Sequence, residues 1–351
     1  MTHLWLRSET RPNERRTALM PDGARALIAD GVRLTVEESP HRCVPTTAYA
    51  EAGAQIAAEG SWPGAPGDAL ILGLKELPDD GTPLRHRHIM FGHAFKGQPD
   101  GRRLLARVRA GGGVLLDLEY LTDADGRRLA AVGYWAGFTG AAVALMALAA
   151  QARGETCPPV DVFPSAAAMT DAVARALAGH VPSALVIGAL GRTGRGASAL
   201  CESVGVAPTR WDMAETAHGG PFPEVLAHEV FLNCILAQPG APVFVPADAG
   251  ERARALRVIG DIACDPTSDF SPVKVYDRPT DWAAPVIRVH DDPPLDVMAI
   301  DNLPSLLPAE ASEDFAAQLL PVLRQLDAPA PTPWTRAEAL FRQHVAEADD
   351  G

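Results

Sequence analysis

Short apolar runs alternate with helical periodicity along almost the whole chain. Leu4-Trp5-Leu6, Arg33-Leu34-Thr35-Val36, Ala69-Leu70-Ile71-Leu72, Ile89-Met90-Phe91 and Val114-Leu115-Leu116 have the length and branched content of buried strands. Between the first two, residues 22–31 read as a helix with Gly31 as its stop, and residues 46–52 as a short helix closed by Gly53. Pro- and Gly-rich stretches at 62–67 and 78–83 read as loops. After a loop around Cys157-Pro158-Pro159, a helix is expected over 166–178, and strands at 184–187, 206–211, 230–233 and 256–262. The pattern turns helical again over 310–326, and a last helix follows the Pro-rich bend at 329–333. This alternation predicts an α/β chain with doubly wound parallel sheets. Two domains facing a central cleft are expected, one from residues 1–135 plus 310–351 and one from 136–309.

One segment tests that picture. Residues 129–150 carry no charge and are long enough to cross a bilayer. Much of the stretch is Ala and Gly, however, and Ala gains little from lipid. A buried helix between the two domains is expected instead, with Gly133, Gly137 and Gly140 permitting close backbone approach. A chain of 351 residues that is 47% hydrophobic and 21% charged has ample material for buried cores. Its net charge of -13 argues against a nucleic-acid partner while leaving room for a local basic pocket. Five scattered cysteines without a CxxC pair point to neither zinc nor a disulfide framework. The first residues lack the apolar core of a signal peptide, so a cytoplasmic protein without a membrane partner is expected. His86 and His88 flank Arg87 with no further ligand at metal-binding spacing, and they read as a solvated loop.

The sharpest local motif is Gly188-Ala189-Leu190-Gly191-Arg192-Thr193-Gly194, between a strand and a helix expected from about 195. Gly188, Gly191 and Gly194 permit a tight turn and close approach to a pyrophosphate at the helix N-terminus. The spacing GxxGxxG is less specific than GxGxxG, and a plain strand-to-helix turn would also use it. The next strand ends at Asp212, roughly 20 residues on, where a ribose-binding acid belongs. Asp212 would bond both ribose hydroxyls and repel a 2′-phosphate, and no Arg follows it, which favours NAD as cofactor. Strand, loop, helix, strand and acid together read as a Rossmann-like nucleotide site.

A second cluster lies in the first part of the chain. Lys75 and Glu76 follow one apolar strand, and His93, Lys96 and Gln98 follow another, so the strand ends could bring them together. A Lys among cations loses part of its proton affinity and can act as a base; Glu76 and Glu119 would counter that shift or orient the cations. Taken singly, each is equally a solvated charge. Arg15-Arg16 and Arg127-Arg128 suit carboxylate binding, although on their own they read better as a solvated surface.

These pieces resemble the NAD-dependent, L-lysine-forming saccharopine dehydrogenases, relatives of alanine dehydrogenase and of the nucleotide-binding subunit of transhydrogenase. The resemblance rests on Leu6-Arg7-Ser8-Glu9-Thr10, Glu14-Arg15-Arg16-Thr17-Ala18-Leu19, Gly73-Leu74-Lys75-Glu76 and His93-Ala94-Phe95-Lys96-Gly97-Gln98. It continues through Asp117-Leu118-Glu119, Gly126-Arg127-Arg128, the glycine loop, Trp211-Asp212-Met213-Ala214-Glu215-Thr216, His218-Gly219-Gly220-Pro221-Phe222 and Leu303-Pro304-Ser305-Leu306-Leu307-Pro308. It implies two Rossmann-like domains and reversible oxidation of saccharopine by NAD, through an imine, to L-lysine and 2-oxoglutarate. Lys75 then matches the base that deprotonates the secondary amine, and His93 the group that handles water and carbinolamine. Arg16, Lys96, Gln98 and Arg128 match substrate-binding positions, and Ala263, Cys264 and Asp265 fall where substrate meets cofactor. Arg127, Gly191, Arg192, Asp212, Thr216 and Ile262 match cofactor contacts, and Ile300, Asp301, Asn302 and Leu303 lie in the segment near the nicotinamide.

Three departures stand out. Thr193 replaces a Cys often found in the family's loop, which removes any redox link from that loop to Cys234. Val132 is smaller than the aromatic of fungal members at that substrate-side position, and Leu236 replaces a Tyr on the cofactor side. An opine-type or other amino-acid dehydrogenase of the same superfamily remains the enzyme alternative. A non-catalytic nucleotide-binding regulatory module is the alternative from another class. A monomer or small homo-oligomer acting on small-molecule substrates is expected.

Overall fold

A computed structural model describes residues 1–95, 99–236 and 238–347. The chain divides into two compact units, Met1–Ala131 with Pro308–Gly351, and Val132–Leu307.

In the first unit the chain runs β1 (His3–Leu6), α1 (Pro21–Ala29), β2 (Arg33–Glu37), α2 (Thr46–Glu51), β3 (Gln55–Ala57), β4 (Leu70–Leu72), β5 (Arg87–Met90), α3 (Pro99–Gly111) and β6 (Val114–Asp117). The strands pair in the order β3-β2-β1-β4-β5-β6, all parallel. Leu4, Leu6, Ile71, Leu72, Ile89, Leu115 and Leu116 are buried to 1% exposure or less. Each contributes roughly 1.5–3 kcal/mol of hydrophobic stabilisation, which is why these runs become central strands. Pro21 opens α1 at its first turn, and Gly31, at φ 92°, turns the chain out of it at no steric cost. Successive strands are laid to one side of β1 and then to the other. The gap between β1 and β4 is therefore the switch point of this sheet, where the loops leaving the two strands part to opposite sides.

The second unit holds α4 (Gly133–Ala152), α5 (Ala166–Leu177), β7 (Ala184–Ile187), α6 (Arg192–Ser203), β8 (Thr209–Trp211), α7 (Met213–Thr216), α8 (Pro223–Ala227), β9 (Val230–Asn233), β10 (Val258–Asp261), β11 (Ile287–Asp291) and β12 (Pro294–Met298). Its sheet runs β11-β12-β10-β9-β7-β8, parallel except for the antiparallel edge pair of β11 and β12. The switch point falls between β7 and β9. The chain then returns to the first unit as α9 (Pro308–Leu323) and α10 (Pro333–Glu347).

The α/β character and dominant parallel pairing agree with the sequence pattern. The uncharged segment forms α4, long and apolar enough to cross a membrane but mostly buried. It lies in the core of the second unit, against α5, α6 and the β7–β9–β10 strands. A Cβ at Gly137 would overlap the Thr193 carbonyl, and one at Gly196 the Tyr134 carbonyl, so glycine lets α4 and α6 touch backbone to backbone.

Two expectations need correction. The sequence pattern missed β3 and β11, short exposed edge strands without an apolar run, and β12, a buried strand beside β10 whose apolar run is broken by Asp296. His86 and His88 are not in a solvated loop: β5 starts at Arg87, and both rings are buried against Trp62, with centroids 6.3 and 5.2 Å away. Alternation explains it, since Arg87 points outward while its neighbours point in. Burial, with the charges of Arg7, His86 and Arg107, pushes the His88 imidazole down to about 3, so it is neutral at ordinary pH.

Candidate active site

In the first unit the chemistry-bearing side chains gather on segments that leave the carboxyl ends of β1, β4, β5 and β6. The segment after β1 carries Glu14 and Arg16, both buried. Glu14 accepts from Arg16 Nε at 2.8 Å, from its terminal nitrogen at 2.6 Å and from its backbone N–H at 3.0 Å. Burial alone would raise the Glu14 carboxyl, but the Arg16 guanidinium, its hydrogen bonds and the Lys75 charge hold it down at about 2. Arg16 is thus an oriented cation, and Glu14 is an anion within electrostatic reach of Lys75.

Lys75 follows β4 and is half-buried. Its backbone N–H donates to Glu9 at 3.0 Å, and its carbonyl accepts from Arg7. Glu76, expected to tune the lysine, lies 3.6 Å from Arg11, with both side chains partly exposed. His93 follows β5 in the left-handed region, at φ 47°, and stacks on Phe91. Its Nδ1 is 3.3 Å from one Glu119 oxygen, and Arg128 is 3.4 Å from the other. Glu119 therefore faces both the His93 ring and the Arg128 guanidinium. Its own backbone is fixed by the buried Asp117, whose carboxylate accepts the Glu119 N–H at 2.9 Å. Burial pushes the Asp117 carboxyl up, opposed by the Glu119 and Gly92 N–H groups and by His93. The structure thus groups His93, Glu119 and Arg128 in one chain of contacts, and pairs Glu14 with Arg16 within electrostatic reach of Lys75. Lys96 and Gln98 lie outside the described residues. Arg127 is exposed in the turn closed by its N–H to Asp123, at 2.9 Å.

In the second unit the glycine loop leaves β7 at the switch point. Gly188 has φ 87°, and a Cβ there would press on Ile235 at 2.7 Å and on the Cys234 carbonyl carbon at 3.0 Å. A Cβ at Gly194 would overlap the Gly188 carbonyl. Gly191 begins α6 with no side-chain cap, so the helix starts inside the motif rather than after it. Its first N–H groups and its dipole are placed for an anion. Asp212, at the tip of β8, accepts from Leu190 N and Met213 N, each at 2.9 Å. The Glu215 side chain accepts the Asp212 N–H at 2.7 Å, and the Thr216 hydroxyl donates to the Asp212 carbonyl at 2.9 Å. Around this edge the apolar side chains of Leu190, Met213 and Leu236 are exposed.

The rest of the cofactor-side set is less uniform. Ile262, Ile300 and Leu303 are core residues, and a Cβ at Gly140 would press on Ile262 at 2.6 Å and Leu303 at 3.1 Å. Asp301 is exposed and Asn302 half-buried ahead of them, and Val132 precedes α4. After β10, Ala263 and Cys264 are half-buried and Asp265 is exposed. Cys264 sits at φ 46°, and its thiol donates to the Ala299 carbonyl at 3.0 Å. Burial, then the neighbouring Asp261, Asp301 and Asp265 charges, push it up to about 12, so it is an inert thiol. All five cysteines are free. The buried Asp261 accepts from Tyr276 at 2.6 Å, from Asn233 at 2.8 Å and from the Cys264 N–H at 3.3 Å, and so holds this segment.

Glu14, Asp117, Asp261 and the Arg7–Glu9 pair were not assigned from sequence. A signal existed for most: Asp117 and Asp261 end apolar strands and Arg7 and Glu9 follow one closely, where a charge has little reason to be buried unless it organises a strand end.

Two largely parallel α/β units define the class, one with a glycine loop braced by Asp212 and the other with a Lys–His–Glu–Arg set. It is a dinucleotide-dependent dehydrogenase of amino-acid substrates. Residues 5–139 match the family model for the alanine dehydrogenase/PNT N-terminal domain. The chain is 44% identical to saccharopine dehydrogenase [NAD(+), L-lysine-forming] of Yarrowia lipolytica, over 97% of each chain. It is 43% identical to the enzyme of that name from Neurospora crassa, over 98% of this chain and 97% of the other. A solved L-alanine dehydrogenase superposes with a TM-score of 0.69 over 99% of this chain and 100% of its own; at 17% identity the likeness is one of fold. The chain belongs to the NAD-dependent, L-lysine-forming saccharopine dehydrogenase family.

Proposed function

We propose that this protein catalyses the reversible NAD-dependent oxidative cleavage of saccharopine to L-lysine and 2-oxoglutarate. The observation that carries the reading is the joining of Lys75, Glu14 and Arg16, with His93, Glu119 and Arg128, on the strand ends of one sheet in a chain of this family.

The residues present fit NAD. The cradle at Gly188 and Gly194 has no room for a Cβ, and Asp212 retains acceptor capacity for two ribose hydroxyls. Leu190, Met213 and Leu236 offer apolar surface for an adenine. When bound, NAD+ supplies the hydride acceptor.

The protein's own groups do the rest. Arg16, its guanidinium plane fixed by Glu14, and Arg128, steered by Glu119, bind substrate carboxylates. Lys75, as the neutral amine, removes the proton of the secondary amine. The Glu14 anion stabilises the ammonium that results. His93, with its Nδ1 3.3 Å from Glu119, takes a proton from the water that attacks the imine and returns one to the departing lysine nitrogen. The decisive assay follows NADH consumption with L-lysine plus 2-oxoglutarate against a panel of other amine and oxo-acid pairs. Faster turnover of another pair would move the protein to the opine-type dehydrogenases.

A further inference from the structure

The first residues after β1 and after β4 leave adjacent strands at the switch point, and there a buried ion pair meets one dipeptide. Glu9 accepts the Leu74 N–H at 2.7 Å with one carboxylate oxygen and the Lys75 N–H at 3.0 Å with the other. Arg7 lies 3.4 Å from Glu9 and donates to the Lys75 carbonyl and, at 3.0 Å, to the Ser8 carbonyl. Arg7 is only 2% exposed. Its backbone is fixed in turn: its N–H donates to the Leu72 carbonyl at 2.9 Å, and its carbonyl accepts from Arg42 at 3.3 Å. Gly73 completes the arrangement, because any Cβ there would press into the Arg7 guanidinium. The glycine has an ordinary φ, so the requirement is one of space.

Stability is a poor account of this pair. Burying two charges costs about what their attraction returns, and apolar replacements are often neutral. What the pair does achieve is specific: every backbone hydrogen bond it makes to this dipeptide is charge-assisted, and they grip Lys75 on both its N–H and its carbonyl. We propose that Arg7 and Glu9 are positioning residues for Lys75, setting the backbone from which its amine reaches the substrate. The inference rests on the reading of Lys75 as the amine-deprotonating base. It needs no contact between the pair and substrate, since displacement of a catalytic group by about 1 Å costs on the order of 10²-fold in rate.

The test is a set of variants of the full chain, assayed for saccharopine oxidation. Glu9→Gln keeps the shape but puts an NH2 against one of the two backbone N–H groups. It should lower kcat by roughly 10- to 100-fold with NADH binding by fluorescence close to wild type, and it should also lower the melting temperature, because the Arg7 charge stays buried without its carboxylate. The same change made in Lys75→Met should alter the residual rate by less than about twofold, because the group it positions is gone. Arg7→Lys keeps the charge but not the two-nitrogen reach. It should behave alike, and it decides the matter if Glu9→Gln does not fold. Wild-type kcat in the folded variants would overturn the inference, as would an equal loss in the Lys75→Met background, which marks a general structural effect. If Lys75→Met itself turned over normally, the assignment of the base would fall and the positioning role with it.

Discussion

The Asp212 carboxylate accepts the Leu190 N–H at 2.9 Å, tying the acid at the end of β8 to the middle of the glycine loop after β7. A residue expected from sequence to read the ribose is therefore also a brace for the phosphate loop. The two roles are separable, because a Ser at this position could still accept a hydrogen bond but would carry no charge.

Asp212→Ser should relax the preference for NADH over NADPH by removing the charge that repels a 2′-phosphate. Asp212→Ala should do the same and also raise the KM for NADH further than Ser does, because the Leu190 N–H loses its acceptor. Steady-state kinetics with both cofactors checks this. Equal use of NADH and NADPH by the wild type would remove Asp212 from ribose recognition.

The two arginines proposed to bind carboxylates should part company in stability. Arg16 is buried against Glu14, so Arg16→Ala leaves a buried anion and should destabilise the first unit by about 3 kcal/mol. Arg128 has a side chain 37% exposed, and Arg128→Ala should leave the melting temperature nearly unchanged. Both should raise the KM for saccharopine more than that for NAD. A double variant, Glu14→Gln with Arg16→Met, should recover much of the stability lost in Arg16→Ala but none of the activity.

Acid sensitivity follows from His88. Burial first, then the Arg7, His86 and Arg107 charges, hold its folded value at about 3, below the 6.5 of a free histidine. The unfolded chain binds a proton below about 6.5 that the folded one refuses, so this stability is complete above that pH and is lost as pH falls towards 3. At pH 5 the loss amounts to roughly 2 kcal/mol. His88→Leu should shrink the difference in melting temperature between pH 7 and pH 5. That range lies above the Glu14 window, where a carboxyl lowered from 4.5 to about 2 acts in the same direction. An unchanged difference would show that His88 finds a proton acceptor when buried.

The sequence made legible what depends on apolar runs and glycines. Val186 and Ile187, buried on both faces, followed by Gly188, specify a strand and a turn whatever surrounds them. It was silent where charge is buried by tertiary contact. Arg7 and Glu9 look like any polar pair after a strand, and only the return of β4 beside β1 shows that they hold Lys75. The Arg11 neighbour of Glu76 was equally invisible, since only the fold brings that guanidinium to within 3.6 Å of its carboxylate. His88 was misread because one polar letter per strand is weaker than the alternation around it. The edge strand β11, largely polar and exposed, left no pattern, and in β12 the buried Asp296 interrupts an apolar run that continues through Val297 and Met298.

The last prediction concerns the approach of α4 to α6. Gly137 faces the Thr193 carbonyl so closely that a methyl group cannot be added without moving one helix, and Thr193 belongs to the glycine loop itself. Gly137→Ala should therefore act twice. It should lower stability by about 1–3 kcal/mol through overpacking, against the gain of up to about 1 kcal/mol that Ala ordinarily brings to a helix interior. It should also raise the Kd for NADH by shifting Thr193 and with it the start of α6. Gly133 offers the comparison, since a Cβ there would meet the Thr193 hydroxyl at 3.1 Å, a side-chain atom that can rotate away. Gly133→Ala should cost little in either property. Thermal melts and NADH fluorescence titrations on the two variants separate the cases. If Gly137→Ala were as stable as wild type and bound NADH equally well, the two helices would have to slide apart freely. The contact between α4 and the phosphate loop would then play no part in shaping the cofactor site.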